Sequence, residues 1–426
     1  MSRHIVLYIG SLQAGGAERV LVNLAEGLFA RGWRVTFVTT YYAEKEYGLE
    51  SGCWREARSM KIGERARFID ALDPLDCPVR LAFPEDAAFV TSPSGQICGA
   101  AGDDARIGRV FSGVAMRDTG GRIKGFFKRL KSLKWIIREL RPDVILSFIG
   151  KNNMMAILAS DKGRIPVVVS VRATPDEEYP TNKLKLAANA LFPRAAAVAV
   201  QSQAAADWFS DKVRKRAVVL PNMVAQEFFE PGEEAPREKS IVFVGRLDEN
   251  KNASMLLRAF SKIPAQEAEG WRVMVYGDGE DKSYLQRVAS ELRIADKVRF
   301  LGQRRGIAER IRHAGIYCLV SHQEGMPNTL LEAMCLGLPC IATDCVYGGI
   351  GQFVTDGVNA LVIRKDNEAA LTAALRRLMG NSALAEKLGE NARKIREKYE
   401  RSAVLDAWEE VLEHAASENA SQREGE

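Results

Sequence analysis

Two glutamates stand eight residues apart in the segment SHQEGMPNTLLEAM, one on each side of Pro327. Glu332 follows Thr329 by three residues, which is the spacing of a capping box, where two side chains bond reciprocally to the exposed amides of a helix start. Glu324 precedes the helix, and the capping box gives it no role. Glu324 would lie just outside whatever ligand binds at that helix start.

A basic pair occupies the loop GRLDENKN, which directly follows the apolar run SIVFV. Gly245 opens the loop, and Arg246 and Lys251 stand five residues apart within it. Arginine offers a planar fork and lysine a mobile point charge, a combination suited to a diphosphate. Taken in isolation, the loop favours two solvated charges instead. The helix after Pro327 would add amides for an anion, those of Asn328, Thr329 and Leu330.

Paired glycines mark the turn GSLQAGGAERV near the N-terminus. Gly15 and Gly16 would let backbone amides approach an anion at a helix start. The alternative is a tight turn closing onto a sheet. The pattern is not G-x-G-x-x-G and no clear acidic partner follows the second strand, which disfavours a dinucleotide site.

The elements that must position these residues alternate along the whole chain. Short apolar runs such as HIVLYIG, DVILSFI, RVMVYG and IYCLV alternate with helix-period stretches, a pattern typical of parallel strands joined by helices. We therefore expect an α/β fold with two doubly wound domains. The expected segments are a first domain over 1–225 with an elaborated region at 42–121, a second domain over 240–400, a helix over 401–416, and a disordered tail over 417–426.

Composition limits the function classes. The chain has 426 residues, of which 46% are hydrophobic and 27% charged, and no apolar run approaches the ~20 residues that span a bilayer. The N-terminal apolar run is too short for a secretory signal, and seven cysteines without a C-x-x-C pair fit a cytoplasmic protein. We expect Cys335, Cys340 and Cys345 to be buried free thiols and not metal ligands.

Charge divides unevenly, because residues 1–221 carry a net charge of +10 and residues 222–426 one of −5. The stretch GRIKGFFKRLKSLKWIIRELRP has its apolar residues at helical spacing and suits an anionic membrane surface. The alternative is a helix that covers the sheet and turns its charges to water. Nucleic acid is disfavoured, since no binding module accompanies the charge. The expected membrane contacts are Lys124, Lys128, Arg129, Lys131, Lys134 and Trp135.

Five segments resemble, in their order and spacing, retaining glycosyltransferases of family 4. They are GRLDENKN, YGDGE, VRFLGQ, EGMPNTLLEAMCLGLPCIATD and DGVNALVI. Glu324 and Glu332 match that family's E-x7-E signature, and the resemblance extends over about 240–400. GGAERVLVNLA and PDVILSF give a looser likeness in the first half. The resemblance implies the GT-B fold: two Rossmann-like domains facing across a cleft, with the C-terminal helix returning towards the N-terminal domain.

The resemblance also implies the site. Arg246 and Lys251 would neutralise a nucleotide diphosphate as it leaves, without a metal or cofactor. Glu324 would hold the donor sugar and Glu332 the ribose. Further donor contacts would come from Gly15, Gly16, Gly245, Gln303, Asn328, Thr329 and Leu330. The expected partners are a nucleotide-sugar donor, probed first as a UDP-sugar, and a lipid-linked glycan at the cytoplasmic membrane face.

One departure from the family concerns the acceptor side. Many members carry a histidine after an N-terminal-domain strand where VVVSVRATP offers Arg172. SFIGKNN resembles a subset that builds lipid-linked oligosaccharides, so Arg172, Lys151 and Asn152 become candidate sugar or acceptor contacts. No side chain suggests itself as a base, and the donor phosphate would take the acceptor proton. The alternatives are a UDP-sugar epimerase and a non-catalytic nucleotide-sugar-binding subunit.

Overall fold

A computed structural model describes nine ranges of the chain. The chain forms two compact units. The first unit combines Met1–Leu220 with Val404–Glu426, and the second is Pro221–Ala403. The described residues are 3–12, 16–40, 54–56, 107–111, 122–160, 164–232, 235–304, 306–345 and 349–423.

The first unit contains a parallel sheet with the strand order β3-β4-β2-β1-β5-β6-β7-β8. The sequence predicted five of its strands; β8 was missed, and β3 and β4 lie in the region 42–121, most of which is outside the described residues. The strands are β1 His4–Ile9, β2 Arg34–Thr39, β3 Trp54–Glu56, β4 Ile107–Phe111, β5 Val144–Phe148, β6 Val167–Ser170, β7 Ala197–Val200 and β8 Ala217–Val219.

Helices cover this sheet and bury its strands. β1, β5, β6 and β7 are buried at every residue, as expected for parallel strands covered on both faces. Gly32 follows the first helix at φ +89°, a conformation that glycine adopts without a steric penalty. The helices are α1 Gly16–Ala30, α2 Arg122–Leu140, α3 Gly150–Ala159, α4 Pro175–Glu178, α5 Asn182–Leu191, α6 Gln203–Asp207 and α7 Asp211–Arg214.

The second unit contains a six-stranded parallel sheet with the order β11-β10-β9-β12-β13-β14. All six strands were predicted from their apolar runs. They are β9 Ser240–Val244, β10 Arg272–Tyr276, β11 Val298–Gly302, β12 Ile316–Leu319, β13 Cys340–Asp344 and β14 Leu361–Arg364. The helices are α8 Ala253–Ser261, α9 Lys282–Glu291, α10 Ile307–Ile311, α11 Asn328–Cys335, α12 Glu368–Met379, α13 Ser382–Arg393 and α14 Ile395–Lys398.

The segment that follows the first unit packs onto the second. The sequence left residues 226–239 between the two expected domains, yet Phe228 is completely buried in the core of the second unit. Arg396 donates to the Phe228 carbonyl at 2.9 Å and fixes this turn. The second unit therefore begins at Pro221 and not at residue 240. The segment's polar composition hid these packing contacts from the sequence analysis.

The last helix, α15 (Arg401–Arg423), returns to the first unit, as the resemblance predicted. Trp408 is fully buried and packs on Phe148, with ring centroids 6.0 Å apart. Gly27 of α1 lets the helix approach, because a Cβ there would lie 2.8 Å from the Leu405 side chain. The helix reaches residue 423, so most of the tail that we expected to be disordered is helical.

The described cysteines are free and buried: Cys318, Cys335, Cys340 and Cys345. Burial raises the pKa of the Cys335 thiol to about 12 and that of Cys345 to about 11. Thiols with such pKa values stay protonated near neutral pH and pack as small apolar groups. None of the helices in the described ranges has both the length and the apolar character needed to cross a membrane.

Candidate active site

The candidate donor site lies at the carboxyl edge of the second unit's sheet, where the strand order reverses. β9 pairs with β10 on one side and with β12 on the other, so the loops after β9 and β12 are neighbours. Open parallel sheets bind ligands at such a switch point. The GRLDENKN loop follows β9 and the SHQEGMP loop follows β12, so the topology brings the two sequence motifs together.

Lys251 and Glu324 meet directly at this edge. The Lys251 Nζ lies 2.6 Å from Glu324 Oε1, which also accepts a hydrogen bond from Ser321 Oγ at 2.7 Å. The side chain of Glu324 is 10% exposed and that of Lys251 22% exposed. The sequence placed one residue on the diphosphate and the other on the sugar; the structure shows that they are ion-pair partners.

The helix α11 begins at Asn328, and the capping box expected there is wrong. Its N-cap residue is Pro327, which places Thr329 inside the helix, where its hydroxyl oxygen accepts from Tyr317 Oη at 2.7 Å. The amide of Leu330 donates to the Pro327 carbonyl at 3.1 Å. The amides of Asn328 and Thr329 remain candidates for an anion, because residues in the first turn have no helical carbonyl four residues before them.

Other predicted donor residues occupy the same unit. Glu332 is one turn into α11 and 3% exposed, and Gln303 is exposed directly after β11. The Asn328 side-chain oxygen accepts from Asn222 Nδ2 at 2.6 Å, which orients the start of the helix. In the first unit, Gly16 is the exposed first residue of α1, while Gly15 lies outside the described residues.

Asp248 organises the loop after β9. Its carboxylate accepts from the Lys251 amide at 3.0 Å and lies 3.1 Å from the Arg246 guanidinium. The Arg246 side chain is 74% exposed, so it can turn towards a ligand with little loss of packing. The loop thus holds one cation inside the site and leaves another at its surface.

The YGDGED turn, by itself an ordinary turn in the sequence, supports this loop. Leu247 donates its amide to the Asp278 carbonyl at 3.0 Å. A Cβ at Gly277 would lie 1.8 Å from the Gly245 carbonyl oxygen, and one at Gly279 would lie 2.3 Å from that of Leu247. Both glycines are therefore required for the close approach of two loops.

Asn250 connects the two central loops, and the sequence reasoning missed it. Its side chain accepts from the Gln323 amide at 3.1 Å and donates to the Gln323 carbonyl at 3.1 Å. Its own carbonyl accepts from the His322 amide at 2.8 Å. No sequence signal identifies this residue, because its partners are main-chain groups 72 and 73 positions away.

The acceptor candidates in the first unit have different surroundings. Lys151 is exposed, and Asn152 Nδ2 donates to the Phe148 carbonyl at 3.2 Å. Arg172 is buried, donates to the Leu220 carbonyl at 3.1 Å, and stacks over Trp408 at 5.0 Å from the ring centroid. Burial lowers its pKa to about 9. These contacts favour a structural role for Arg172 over the predicted acceptor contact.

Glu178 organises the loops that carry these candidates. Its carboxylate accepts from the amides of Gly150 at 2.7 Å, Arg172 at 2.6 Å and Ala173 at 3.0 Å. Burial raises its pKa despite these donors. Ile149, next to this cluster, has φ +73°, a rare conformation for a β-branched residue. Glu178 therefore links the loop after β5 to the loop after β6.

The basic stretch forms the helix α2, as predicted, and divides its side chains. Lys128 and Lys131 are exposed, and Phe127 is 62% exposed. Arg129, Lys134 and Trp135 are half-buried, and Trp135 packs against the core of the first unit. The side chain of Lys124 lies outside the described part of the chain. Part of the apolar stripe thus covers the sheet, while charges and one phenyl ring face outward.

Comparison with known families assigns both halves of the chain. Residues 15–223 match the glycosyl transferase 4-like domain, and residues 224–395 match glycosyl transferases group 1. One relative is the GalNAc-alpha-(1->4)-GalNAc-alpha-(1->3)-diNAcBac-PP-undecaprenol alpha-1,4-N-acetyl-D-galactosaminyltransferase of Campylobacter jejuni. It is 23% identical over 409 residues, which cover 96% of this chain and 98% of the relative.

Solved structures resemble the whole chain at low sequence identity. Anabaena HepE, crystallised with UDP and glucose, has a TM-score of 0.71 at 16% identity over 96% of this chain and 99% of that one. WaaG, described as a glycosyltransferase involved in lipopolysaccharide biosynthesis, has a TM-score of 0.65 at 14% identity over 96% of this chain and 99% of that one. These likenesses confirm the predicted GT-B fold class.

Proposed function

Because the chain belongs to the glycosyltransferase family that joins a glycosyl transferase 4-like domain to a group 1 domain, we propose that it transfers a hexose-type sugar with retention. The donor in this proposal is a nucleoside diphosphate sugar, a UDP-sugar first. The acceptor is a lipid-linked glycan at the cytoplasmic face of the membrane.

The observation that carries the proposal is the Lys251–Glu324 pair at the switch point. A lysine that is 22% exposed and paired to one carboxylate supplies a positive charge at the sheet edge where a donor would bind. A departing diphosphate gains negative charge, and a cation already in place stabilises it without reorganisation. Arg246, at the mouth of the same loop, would add a second cation by turning from Asp248.

The two glutamates then have separate tasks. Glu324 would hold hydroxyls of the donor sugar, and its charge is matched by Lys251 before the donor binds. Glu332, buried one turn into α11, would accept from the ribose hydroxyls. The remaining donor contacts would come from Gly15, Gly16, Gly245, Gln303 and the amides of Asn328 and Thr329.

The reaction needs no side-chain base in this proposal. The bond between the anomeric carbon and the donor diphosphate oxygen breaks, and the acceptor hydroxyl oxygen bonds to that carbon on the same face. The acceptor proton passes to the departing phosphate oxygen, and the nucleoside diphosphate leaves. Lys251 and Arg246 stabilise the charge on that diphosphate, a task for which we expect no metal ion.

The acceptor assignment rests on two supports. The relative from Campylobacter jejuni is named for an acceptor linked to undecaprenol by a diphosphate. The helix α2 exposes Lys128, Lys131 and Phe127, a combination suited to an anionic membrane surface, where each lysine adds about 1 kcal/mol. Lys151 is the exposed candidate for an acceptor contact.

The first experiment is thermal unfolding of the purified protein with a panel of nucleotide sugars. A donor at 100 times its Kd should stabilise the folded protein by about 2.7 kcal/mol. The donor that stabilises most is then incubated with a polyprenyl-diphosphate glycan. Absence of transfer and hydrolysis with every donor, in folded protein, would refute the proposal.

Substitution of the two glutamates tests the site. Glu324→Ala should abolish transfer and leave UDP binding largely intact, because UDP lacks the donor sugar that Glu324 would hold. Glu332→Ala should weaken UDP binding, measured by calorimetry. The reverse pattern would contradict the assignment of the pair.

Two other outcomes would replace the proposal. A UDP-sugar that changes configuration without an acceptor would indicate an epimerase. Donor binding that Lys251→Ala leaves unchanged would favour a non-catalytic binding subunit or a site elsewhere in the chain.

A further inference from the structure

We infer that Asn250 is a positioning residue that sets Glu324 against Lys251 by bridging the loops after β9 and β12. This inference rests on the proposed function, since its catalytic consequence concerns the donor site. Asn250 does not itself contact the donor in this account. It acts through the main chain of Gln323, the residue directly before Glu324.

The bridge consists of three hydrogen bonds between two short segments. Asn250 Oδ1 accepts from the Gln323 amide, Asn250 Nδ2 donates to the Gln323 carbonyl, and the Asn250 carbonyl accepts from the His322 amide. The distances are 3.1, 3.1 and 2.8 Å. The Asn250 side chain thus pairs with both main-chain groups of one residue, the N–H and the C=O of Gln323, as a neighbouring strand would.

The sequence neighbours of this bridge form the ion pair. Asn250 precedes Lys251, and Gln323 precedes Glu324, so adjacent residues of one loop meet adjacent residues of the other. The Lys251 ammonium and the Glu324 carboxylate are then 2.6 Å apart. A charge pair between two long side chains tolerates large changes in backbone position, whereas the amide bridge fixes that position.

The other contacts of the loop after β12 hold positions on either side of the Gln323 main chain. Thr343 Oγ1 donates to the Ser321 carbonyl at 2.7 Å and holds the beginning of the loop. Gly349 packs against its far side, where a Cβ would lie 2.1 Å from the Gly325 carbonyl oxygen. Between these anchors, the His322 side chain lies 2.9 Å from Asp366. Asn250 is bonded to the main-chain N–H and C=O of Gln323. A shift there moves the Glu324 carboxylate relative to the sugar.

The chemistry of the bridge requires an asparagine. Alanine removes both bonds. Aspartate keeps the acceptor for the Gln323 amide and turns an acceptor towards the Gln323 carbonyl, which leaves that carbonyl without a donor. We therefore expect Asn250→Asp to lie between the wild type and Asn250→Ala.

Asn359 provides a matched control in the same unit. Its side chain also bridges main-chain groups, accepting from the Thr355 amide at 2.7 Å and donating to the Phe353 carbonyl at 2.9 Å. Asn359→Ala loses the same number of side-chain hydrogen bonds in a loop far along the chain from both donor-site loops. It should match Asn250→Ala in lost stability and retain transfer.

The transfer experiment uses full-length variants and the donor found by the thermal panel. Asn250→Ala should lower kcat/KM by about 10- to 100-fold, the effect of misplacing a contact by up to 1 Å, and leave the Kd for UDP within about 2-fold. In a Glu324→Gln background the same substitution should change the rate by less than about 2-fold, because both act on one contact. If the rate loss of the double variant equals the product of the rate losses of Asn250→Ala and Glu324→Gln, the inference is overturned.

A measurement without donor separates this inference from the proposed function. Amide hydrogen exchange should rise by about 10-fold at His322 and Gln323 in Asn250→Ala, since their acceptors are lost or displaced, and stay unchanged there in Asn359→Ala. If the wild type transfers nothing, the proposed function fails, and this exchange experiment still decides whether Asn250 sets the loop. Unchanged exchange at both amides would overturn the inference.

Discussion

Replacing Lys251 by methionine should destabilise the second unit because it leaves the Glu324 carboxylate buried without its cation. Exposed ion pairs contribute about 0–1 kcal/mol, whereas removal of one partner of a fully buried pair costs about 3–5 kcal/mol. With side chains 22% and 10% exposed and Ser321 still donating to Glu324, we expect a cost between these limits, about 2–3 kcal/mol. For a unit of this size that lowers the Tm by about 4–12 °C.

The double variant Lys251→Met/Glu324→Gln is the decisive comparison. Glutamine is neutral and can still accept from Ser321, so the double variant should recover to within about 1 kcal/mol of the wild type. Thermal unfolding without donor measures the wild type, the single variants Lys251→Met and Glu324→Gln, and the double variant. If the double variant loses the sum of the two single losses, the residues are not coupled and the reasoning fails.

Arg246→Met provides the control for charge alone. Its side chain is 74% exposed and shares the loop with Lys251, so its removal should change stability by less than about 0.5 kcal/mol. A loss as large as that of Lys251→Met would mean that the charge of the loop, and not the burial of the pair, governs stability.

Two further predictions test the framework around the site. Gly277→Ala should lower the free energy of unfolding in urea by at least about 3 kcal/mol, because its φ is +141° and its Cβ would lie 1.8 Å from the Gly245 carbonyl oxygen. Gly302 has φ +70° and nothing within 4 Å of an added Cβ, so Gly302→Ala should lower it by only about 1 kcal/mol. Equal losses in the two variants would contradict the role of the close contact. His4 is buried, and burial together with the charge of Arg34 lowers its pKa from 6.5 to about 3. Between pH 3 and pH 6.5, the unfolded chain therefore binds a proton at His4 that the folded chain does not bind. Stability should therefore fall by up to about 1.4 kcal/mol per pH unit as the pH drops through this window, and His4→Gln should remove that part of the slope; parallel curves for the two proteins would count against it.

Most of the strands were predicted from the sequence because the parallel sheets bury both of their faces. Such strands become continuous apolar runs, so all six strands of the second unit were predicted. One failure concerns residues whose partners are distant in the sequence, and another concerns the last residues of the chain. The aromatic side chains of 226–240 looked like part of a linker, and the polar residues after 417 looked disordered although the helix continues through most of them.

The sequence predicted which residues form the candidate site, but it did not predict which of them contact one another. Arg246, Lys251, Glu324 and Glu332 could be named from two motifs and their resemblance to a family. The capping box failed because the N-cap is Pro327, two residues before the Thr329 of the pattern, so Thr329 lies inside the helix and its hydroxyl bonds to Tyr317. A helix start depends on backbone geometry as well as on residue type.

The sequence by itself determined which residues can carry charge at the carboxyl edge of the second sheet, because strand ends and motif spacing are local properties. Only the tertiary structure decided that Lys251 and Glu324 are partners and that Asn250 holds their loops together. Those contacts join residues 73 positions apart, and they exist because β9 and β12 are neighbours in the sheet. The order of strands in a sheet is a global property, since pairing depends on the whole folded chain.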